Sequence, residues 1–235
     1  MEEGRRRKQH VTAIILAAGS GSRLKSRISK PLVRINGKPL LLYSLAAFCS
    51  HPRINDVIVT CNADNEPAIR RLVARARSRV PVRCVRGGRR RQDSVRNALG
   101  ALDTRCSLVV IHDGGRPFVD RDTISRLMTR ALKRKAAIAA VPAKATIKQV
   151  EGWEGVVKRT LDRRSLWEVQ TPQAFEKGLI LEAFRRFGDA DVTDDASLVE
   201  QLGKPVAIVE SSYFNIKVTT PEDLVLAEAI ARSRT

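Results

Sequence analysis

Residues 11–39 read VTAIILAAGSGSRLKSRISKPLVRINGKP, and the fold is decided here. An apolar run from Val11 to Leu16 has strand character and empties directly into small residues, Ala17-Ala18-Gly19-Ser20-Gly21-Ser22, closed by Arg23. Glycine lets backbone N–H groups crowd round an anion without interference from a Cβ. A strand leading into such a loop presents it at the carboxyl edge of a sheet. Ala17, Ala18, Gly19 and Gly21 are therefore read as a phosphate cradle, with Arg23 and Lys30 supplying positive charge. A plain tight turn is the alternative reading of the glycine pair alone.

Two better-known glycine motifs do not fit. A P-loop needs Gly-x-x-x-x-Gly-Lys-Ser/Thr, and a dinucleotide site needs Gly-x-Gly-x-x-Gly with an acidic residue about twenty positions on. Here Gly19-x-Gly21 is followed by Leu24, and Lys30 comes too late for a P-loop lysine. The combination Gly19-x-Gly21-x-Arg23 with Lys30-Pro31 resembles the signature of nucleotidyltransferases, which join an NTP to a phosphorylated small molecule and release pyrophosphate.

Outward from this stretch, strand-like and helix-like segments alternate. Strands are expected near 11–16, 57–61, 82–85, 108–111 and 136–141, and helices near 40–48, 66–76, 93–102 and 123–132. Short continuous apolar runs separated by amphipathic helices indicate an α/β fold, a mostly parallel sheet with helices on both faces. Ligands in such sheets sit beyond the strands' carboxyl ends. Polar clusters fall there. Gly87-Gly88-Arg89-Arg90-Arg91-Gln92-Asp93-Ser94 opens a helix and suits an anion or a base edge, or else is an ordinary cap with a solvated arginine run. His112-Asp113-Gly114-Gly115-Arg116-Pro117 places a carboxylate at the end of a buried strand, a costly position unless something there needs it. A magnesium ion shared with triphosphate oxygens is one such partner, and Arg116 suits a second phosphate. An Asp113–Arg116 pair bracing the turn is the alternative, and His112 reads as a packing residue.

The alternation breaks from Ala143 to Pro172, where short strand-like pieces and turn residues suggest an arm leaving the main sheet. A β-arm that cannot bury its own faces usually packs on another chain, so a dimer is expected, with Trp153 and Trp167 either anchoring that interface or packing locally. Helical pattern returns at 176–187 and near 193–199, where Thr193 reads as an N-cap. A strand at 206–209 follows, then Lys217 just before a last helix opened by Thr220-Pro221-Glu222-Asp223.

At 235 residues one domain is expected, spanning 11–235, behind a disordered basic tail at 1–10. No apolar run reaches the roughly eighteen residues that cross a membrane, and no cleavage site follows the charged start. A soluble, cytoplasmic protein is expected. The net charge of +18 invites a nucleic-acid reading, but aromatics at 4% leave few stacking platforms, and much of the excess is local. Solvated arginine-rich faces round a site for polyanionic small molecules account for it better. Cys49, Cys61, Cys84 and Cys106 stand far apart without metal-ligand spacing and read as reduced core residues.

With the clusters in order (AAGSGSR with SKP, GGRRRQDSV, HDGGRPF, DRRSLWEVQTPQAF, VTDDAS, NIKVTTPEDL), the chain resembles the 2-C-methyl-D-erythritol 4-phosphate cytidylyltransferase family from about Val11 to Ala231. The resemblance implies a Rossmann-like sheet with a protruding β-arm for dimerisation, CTP and a sugar phosphate as substrates, and a role in non-mevalonate isoprenoid synthesis. It implies that Arg23, Lys30 and Lys217 surround the triphosphate and reacting phosphorus, with Asp113 near magnesium. Ser94 and the Gly88 backbone would read cytosine. Arg116, Thr146, Arg163, Thr171, Thr193 and Lys217 would receive the sugar phosphate, Thr146 and Arg163 coming from the partner subunit. Departures are Pro31 where glutamine is common, Gly114-Gly115 where alanines or Ser-Ala are common, and Arg89 where an acid is common. A cytidylyltransferase for ribitol or another polyol phosphate is the nearest alternative, and a basic nucleic-acid-binding module a more distant one.

Overall fold

The computed structural model describes residues 9–19, 21, 24, 28–76, 78–152 and 155–234. In chain order β1 (His10–Leu16) leads through the glycine loop and a 3-10 turn at Lys30–Leu32 to the small pair β2 (Arg34–Ile35) and β3 (Lys38–Pro39). Then come α1 (Leu40–Cys49), β4 (Asp56–Cys61), α2 (Glu66–Arg75), β5 (Val82–Arg86), α3 (Arg91–Gly100), β6 (Cys106–Asp113) and α4 (Arg121–Arg134). The second half holds β7 (Ala136–Pro142), β8 (Lys148–Glu151), β9 (Val156–Thr160), β10 (Trp167–Glu176), α5 (Lys177–Phe187), α6 (Ala196–Gln201), β11 (Ala207–Glu210) and α7 (Pro221–Ser233).

The main sheet runs β11-β7-β10-β6-β1-β4-β5. All its pairings are parallel except the two made by β10. Successive side chains of a strand point to opposite faces, and both faces here are apolar because helices cover both. On one face Val11, Ala13 and Ile15 of β1 and Leu108 and Val110 of β6 pack with Leu45 and Phe48 of α1, Ile69 of α2 and Leu127 of α4. On the other, Ile14, Val109 and Ile111 pack with Val95 of α3, Phe184 of α5 and Leu198 of α6. Each fully buried Leu, Ile or Phe contributes about 1.5–3 kcal/mol by leaving water.

The expected mostly parallel α/β sheet is therefore present, with local differences, beginning with the small β2–β3 pair, which lies outside the expected strands, and α4, which starts at Arg121 rather than near Thr123. α3 starts at Arg91 rather than Asp93, because Asp93 stands at the third helical position and accepts from the Arg90 N–H at 3.0 Å. Arg91 thus enters the helix. α6 is not capped by Thr193: it starts at Ala196, and Asp194 accepts from the Ser197 N–H at 3.1 Å. The excursion from the sheet ends before Pro172, because β10 re-enters at Trp167 between β6 and β7. Finally, β1 begins at His10, whose ring bonds Asp56 at 2.6 Å, so this residue is structured. Positions 1–8 of the expected tail, Arg23 and Trp153 lie outside the described residues.

Between Val169 and Gln173 the β7–β10 ladder shifts register, and three residues, Gln170, Thr171 and Pro172, stand opposite a single one. Proline has no N–H for the ladder, which suits a bulge. β8 and β9 pair only with each other, and every one of their residues is exposed. Cys49, Cys61 and Cys106 are buried, Cys84 half-buried, and all four are free thiols.

Candidate active site

Beyond the carboxyl ends of β1, β4, β5 and β6 lies a cleft of about 390 Å³ lined by Ala17, Ala18, Gly19, Lys30, Gly88, Arg91, Ser94, Asp113, Gly115 and Lys217, among others. The glycine loop is fixed from behind. Asn62 Nδ2 donates to the Ala18 carbonyl at 2.9 Å, and Asn65 Nδ2 donates to the Ala17 carbonyl and to Ser29 Oγ, each at 3.0 Å. Sequence reasoning missed these asparagines, although a polar pair just past the carboxyl end of β4 is a signal that could have found them. Gly21 has φ +71°, and a Cβ there would lie 2.5 Å from the Lys30 Cβ. Glycine at this point lets the loop fold back against Lys30.

The second cluster closes on the first. A Cβ on Gly87 would lie 2.5 Å from the Ala18 Cβ and 2.6 Å from Ser94 Oγ, so only glycine permits this approach. Ser94 Oγ accepts from the Gly88 N–H at 3.1 Å and donates to the Arg90 carbonyl at 3.3 Å. Its hydroxyl proton is spent on shaping the turn, which leaves one lone pair for a ligand.

Asp113 ends β6 with its carboxylate buried between two cations. Arg91 Nε donates to Oδ1 at 3.1 Å and Lys217 Nζ to Oδ2 at 2.7 Å. Burial pushes this carboxyl up, but the pull of Arg91 and Lys217 outweighs it and holds the group well below the usual carboxylate range. The alternative Asp113–Arg116 ion pair is not formed; Arg116 joins the turn through its backbone N–H to the Asp113 carbonyl at 2.9 Å. Lys217 arrives because the Val218 N–H donates to the Gly115 carbonyl at 2.8 Å. A Cβ on Gly115 would lie 2.8 Å from the Lys30 Nζ, and one on Gly114 2.8 Å from the Leu16 carbonyl. The Gly114-Gly115 pair thus lets Lys30 and β1 crowd the strand end. Of the other two departures, Arg89 lines the cleft, and Pro31, also in its lining, sits early in the 3-10 turn, where proline is well suited.

Arg91 does not belong to a solvated arginine run; it is a half-buried member of the cleft wall. Its Nη2 donates to Asp195 at 2.9 Å while its Nε holds Asp113. Burial lowers the guanidinium's proton affinity, but the two carboxylates more than reverse this. Burial also pushes the Asp195 carboxyl above its ordinary value. The spacings to Asp113 and Asp195, 22 and 104 residues, left no local pattern to read.

The expected sugar-phosphate residues are dispersed. Arg116 donates to the Asn215 carbonyl at 2.8 Å and to the Val169 carbonyl at 3.5 Å. Thr171 is buried: its Oγ1 accepts from the Asp113 N–H at 2.9 Å and lies 3.2 Å from His112 Nδ1. His112 Nε2 is 2.9 Å from the Arg116 carbonyl, so Nε2 carries the proton and Nδ1 accepts from Thr171. Burial pushes His112 down to about 4, so the ring is neutral and braces the strand end, with the Phe48 ring 5.0 Å away. Thr146 and Thr193 are exposed. Arg163 is also exposed and donates to the Lys144 carbonyl at 2.6 Å. Ala17, Ala18, Gly19, Lys30, Gly88, Ser94, Asp113 and Lys217 are thus brought together, and Arg116, Thr146, Arg163, Thr171 and Thr193 do not line the cleft.

A loop of small residues after β1 and a lone carboxylate at the end of the neighbouring strand, ringed by cations, define a nucleotidyltransferase. The family described as IspD, 2-C-methyl-D-erythritol 4-phosphate cytidylyltransferase, matches residues 11–233. A curated relative of that name from Geobacillus thermodenitrificans (strain NG80-2) is 46% identical over 224 residues, covering 94% of this chain and 97% of its own. The crystal structure of 4-diphosphocytidyl-2C-methyl-D-erythritol synthase from Anaerococcus prevotii DSM 20548 superposes with a TM-score of 0.85 at 31% identity, over 96% of this chain and 100% of that one. The corresponding structure of 2-C-methyl-D-erythritol 4-phosphate cytidylyltransferase from Thermus thermophilus gives 0.76 at 34%, over 95% and 100%. The chain belongs to the 2-C-methyl-D-erythritol 4-phosphate cytidylyltransferase family.

Proposed function

We propose that the chain joins CTP and 2-C-methyl-D-erythritol 4-phosphate at the Asp113 end of the cleft, giving the CDP-sugar and pyrophosphate. One observation carries this placement: a buried carboxylate held between Arg91 and Lys217 stands beside a glycine loop that crowds Lys30. A phosphate oxygen of the sugar attacks the α-phosphorus, a new P–O bond forms, and the α–β bridging bond breaks with its electrons leaving on pyrophosphate. The attacking phosphate is already ionised at neutral pH, so no general base is needed, and catalysis is positioning plus charge.

In this reading Arg23, Lys30 and Lys217 stabilise the reacting phosphorus and departing pyrophosphate. Ala17, Ala18, Gly19 and Gly21 cradle the triphosphate, and Gly88 with Ser94 faces cytosine. Magnesium, when bound, neutralises and orients the triphosphate. Asp113 would hold it, and one carboxylate suits an ion that takes its remaining ligands from phosphate oxygens and water. Among the described residues no group of three or more His, Cys, Asp or Glu side chains gathers to form an all-protein cage.

The reading extends to assembly. Residues 11–235 act as one catalytic domain in a cytoplasmic homodimer, and no helix among the described residues is long and apolar enough to cross a membrane. Exposed Val150, Val156 and Val157 on the β8–β9 ribbon favour burial against a second copy. Arg116, Thr171 and Thr193 with Thr146 of the partner subunit and Arg163 of the partner subunit would then surround the sugar phosphate.

The test is pyrophosphate release from CTP and magnesium with a panel of sugar phosphates. Turnover with methylerythritol phosphate is expected. Turnover of ribitol phosphate alone overturns the substrate, and tight RNA binding without any turnover overturns the enzyme reading.

A further inference from the structure

Asp195 is a buried carboxylate that the proposed reaction does not use. It belongs to an adjacent aspartate pair with divided labour. Asp194 caps α6 through Ser197 and accepts from Gln173 Nε2 at 2.7 Å, whereas Asp195 turns to Arg91 Nη2 at 2.9 Å. Its side chain is only 1% exposed. A charge in such a place is costly unless paired, so its pairing needs a reason.

The reason lies in the row of charges it completes. Asp195, Arg91, Asp113 and Lys217 alternate in sign and are joined by contacts of 2.9, 3.1 and 2.7 Å. Arg91 sits at the first position of α3, where the helix dipole adds to its own positive charge. Without Asp195, Asp113 alone would have to neutralise Arg91 and Lys217. Little of its charge would then remain for a dication, and an uncompensated guanidinium would face that dication across Asp113.

We propose that Asp195 is a positioning residue: by compensating Arg91 it leaves the Asp113 carboxylate available to a divalent cation bound with CTP. This rests on the reading of Asp113 as the metal carboxylate. Residues that act on a ligand from behind typically change metal affinity by about 10–100-fold when replaced.

The test measures Mn²⁺ binding by electron paramagnetic resonance in the presence of CTP and no sugar phosphate, alongside CTP binding without metal. Asp195→Asn is expected to weaken Mn²⁺ by about tenfold or more. Metal-free CTP should bind as well as before or better, because the cleft has gained net positive charge. A merely structural role would lower the unfolding midpoint and leave the Mn²⁺ constant within about twofold, which overturns the proposal. The double variant Arg91→Gln with Asp195→Asn removes both charges of the pair and serves even where the single variant does not fold. Mn²⁺ affinity within about threefold of the parent supports compensation, and a loss as large as about tenfold overturns it. Asp113→Asn separates the two readings. If it binds Mn²⁺ like the parent, the reading of Asp113 fails; if it loses Mn²⁺ while Asp195→Asn does not, only the role of Asp195 fails.

Discussion

In β6 every residue except Ser107 is buried, whereas in β8 and β9 not one is. The strand that carries Asp113 is held by neighbours on both edges and by helices on both faces. The ribbon is held by its own ladder and by exposed pairs such as Lys148 Nζ to Thr160 Oγ1 at 2.6 Å and Arg159 Nε to Gln149 Oε1 at 2.7 Å. Exposed pairs contribute little, and an isolated two-stranded ribbon is marginal in water. The difference teaches where preorganisation resides. In the proposed reading the nucleotide half of the cleft is built by one chain, and the sugar-phosphate half waits for surfaces that this chain leaves uncovered.

That contrast breaks most sharply at Lys30. Removing one close cation from a preorganised, partly desolvated site costs about 3–4 kcal/mol, a few hundredfold in rate. Lys30→Ala should lose this in kcat while CTP affinity changes far less. A rate within about threefold of the parent would mean that the lysine only solvates the loop.

The next largest effect tests how much the body depends on burying its strand end. His112 is neutral when folded, at about 4, against about 6.5 for a free imidazole. The folded state therefore binds fewer protons than the unfolded one between these values. The stability contribution is complete above about 6.5 and falls as pH drops toward about 4, by about 3 kcal/mol in all. Asp113, held low, adds its own loss only at more acid pH. Urea unfolding from pH 7 to 4 measures the slope. His112→Gln should flatten it, and an unchanged slope assigns the loss to other groups.

For the arm the decisive measurement is complementation. Arg163→Ala and Lys30→Ala chains should each be nearly inactive. In an equal mixture that exchanges subunits, half the dimers are mixed and each has one intact site, so about one quarter of the parental activity should return. Mixed dimers as inactive as either parent would falsify the shared site.

The smallest effect sharpens the comparison from the other side. Val156→Thr with Val157→Thr should raise the dimer dissociation constant severalfold in sedimentation equilibrium. Under dilute conditions where chains are monomeric, unfolding of the body should shift by less than about 0.5 kcal/mol. A larger shift would show that the ribbon supports the body.

How much of this was legible follows the same division. β1, β4, β6 and β7 read as apolar runs because helices cover both faces, and α7 read from its cap, where the Thr220 N–H donates to Asp223 at 2.8 Å; the two-residue strands β2 and β3 carried no such run and were not read. β10 did not. Its WEVQTPQAFE carries a proline and buries Gln170, Thr171 and Gln173, polar groups that resemble a loop until their distant partners are known. Asn215 meets Gln170 at 2.9 Å, and the Ala196 N–H meets Gln173 at 3.2 Å. The site was legible where chemistry is local, as in the glycine loop and Asp113, and hidden where a side chain's role depends on remote charges, as in Arg91. Thr193 misled because a good capping residue was followed at once by Asp194, which accepts from the Ser197 N–H in its place.

The antiparallel entry of β10 between β6 and β7 has a consequence for how the chain comes into being. During synthesis β6 and β7 emerge well before residue 167, yet in the finished sheet they do not pair with each other, since β10 stands between them. Until β10 arrives, each offers an open apolar edge to any passing strand. The exposed ribbon lies on the loop that delivers β10, so lengthening or stiffening that segment should slow closure of the sheet and raise losses to aggregation in the cell, even where the finished enzyme is unharmed.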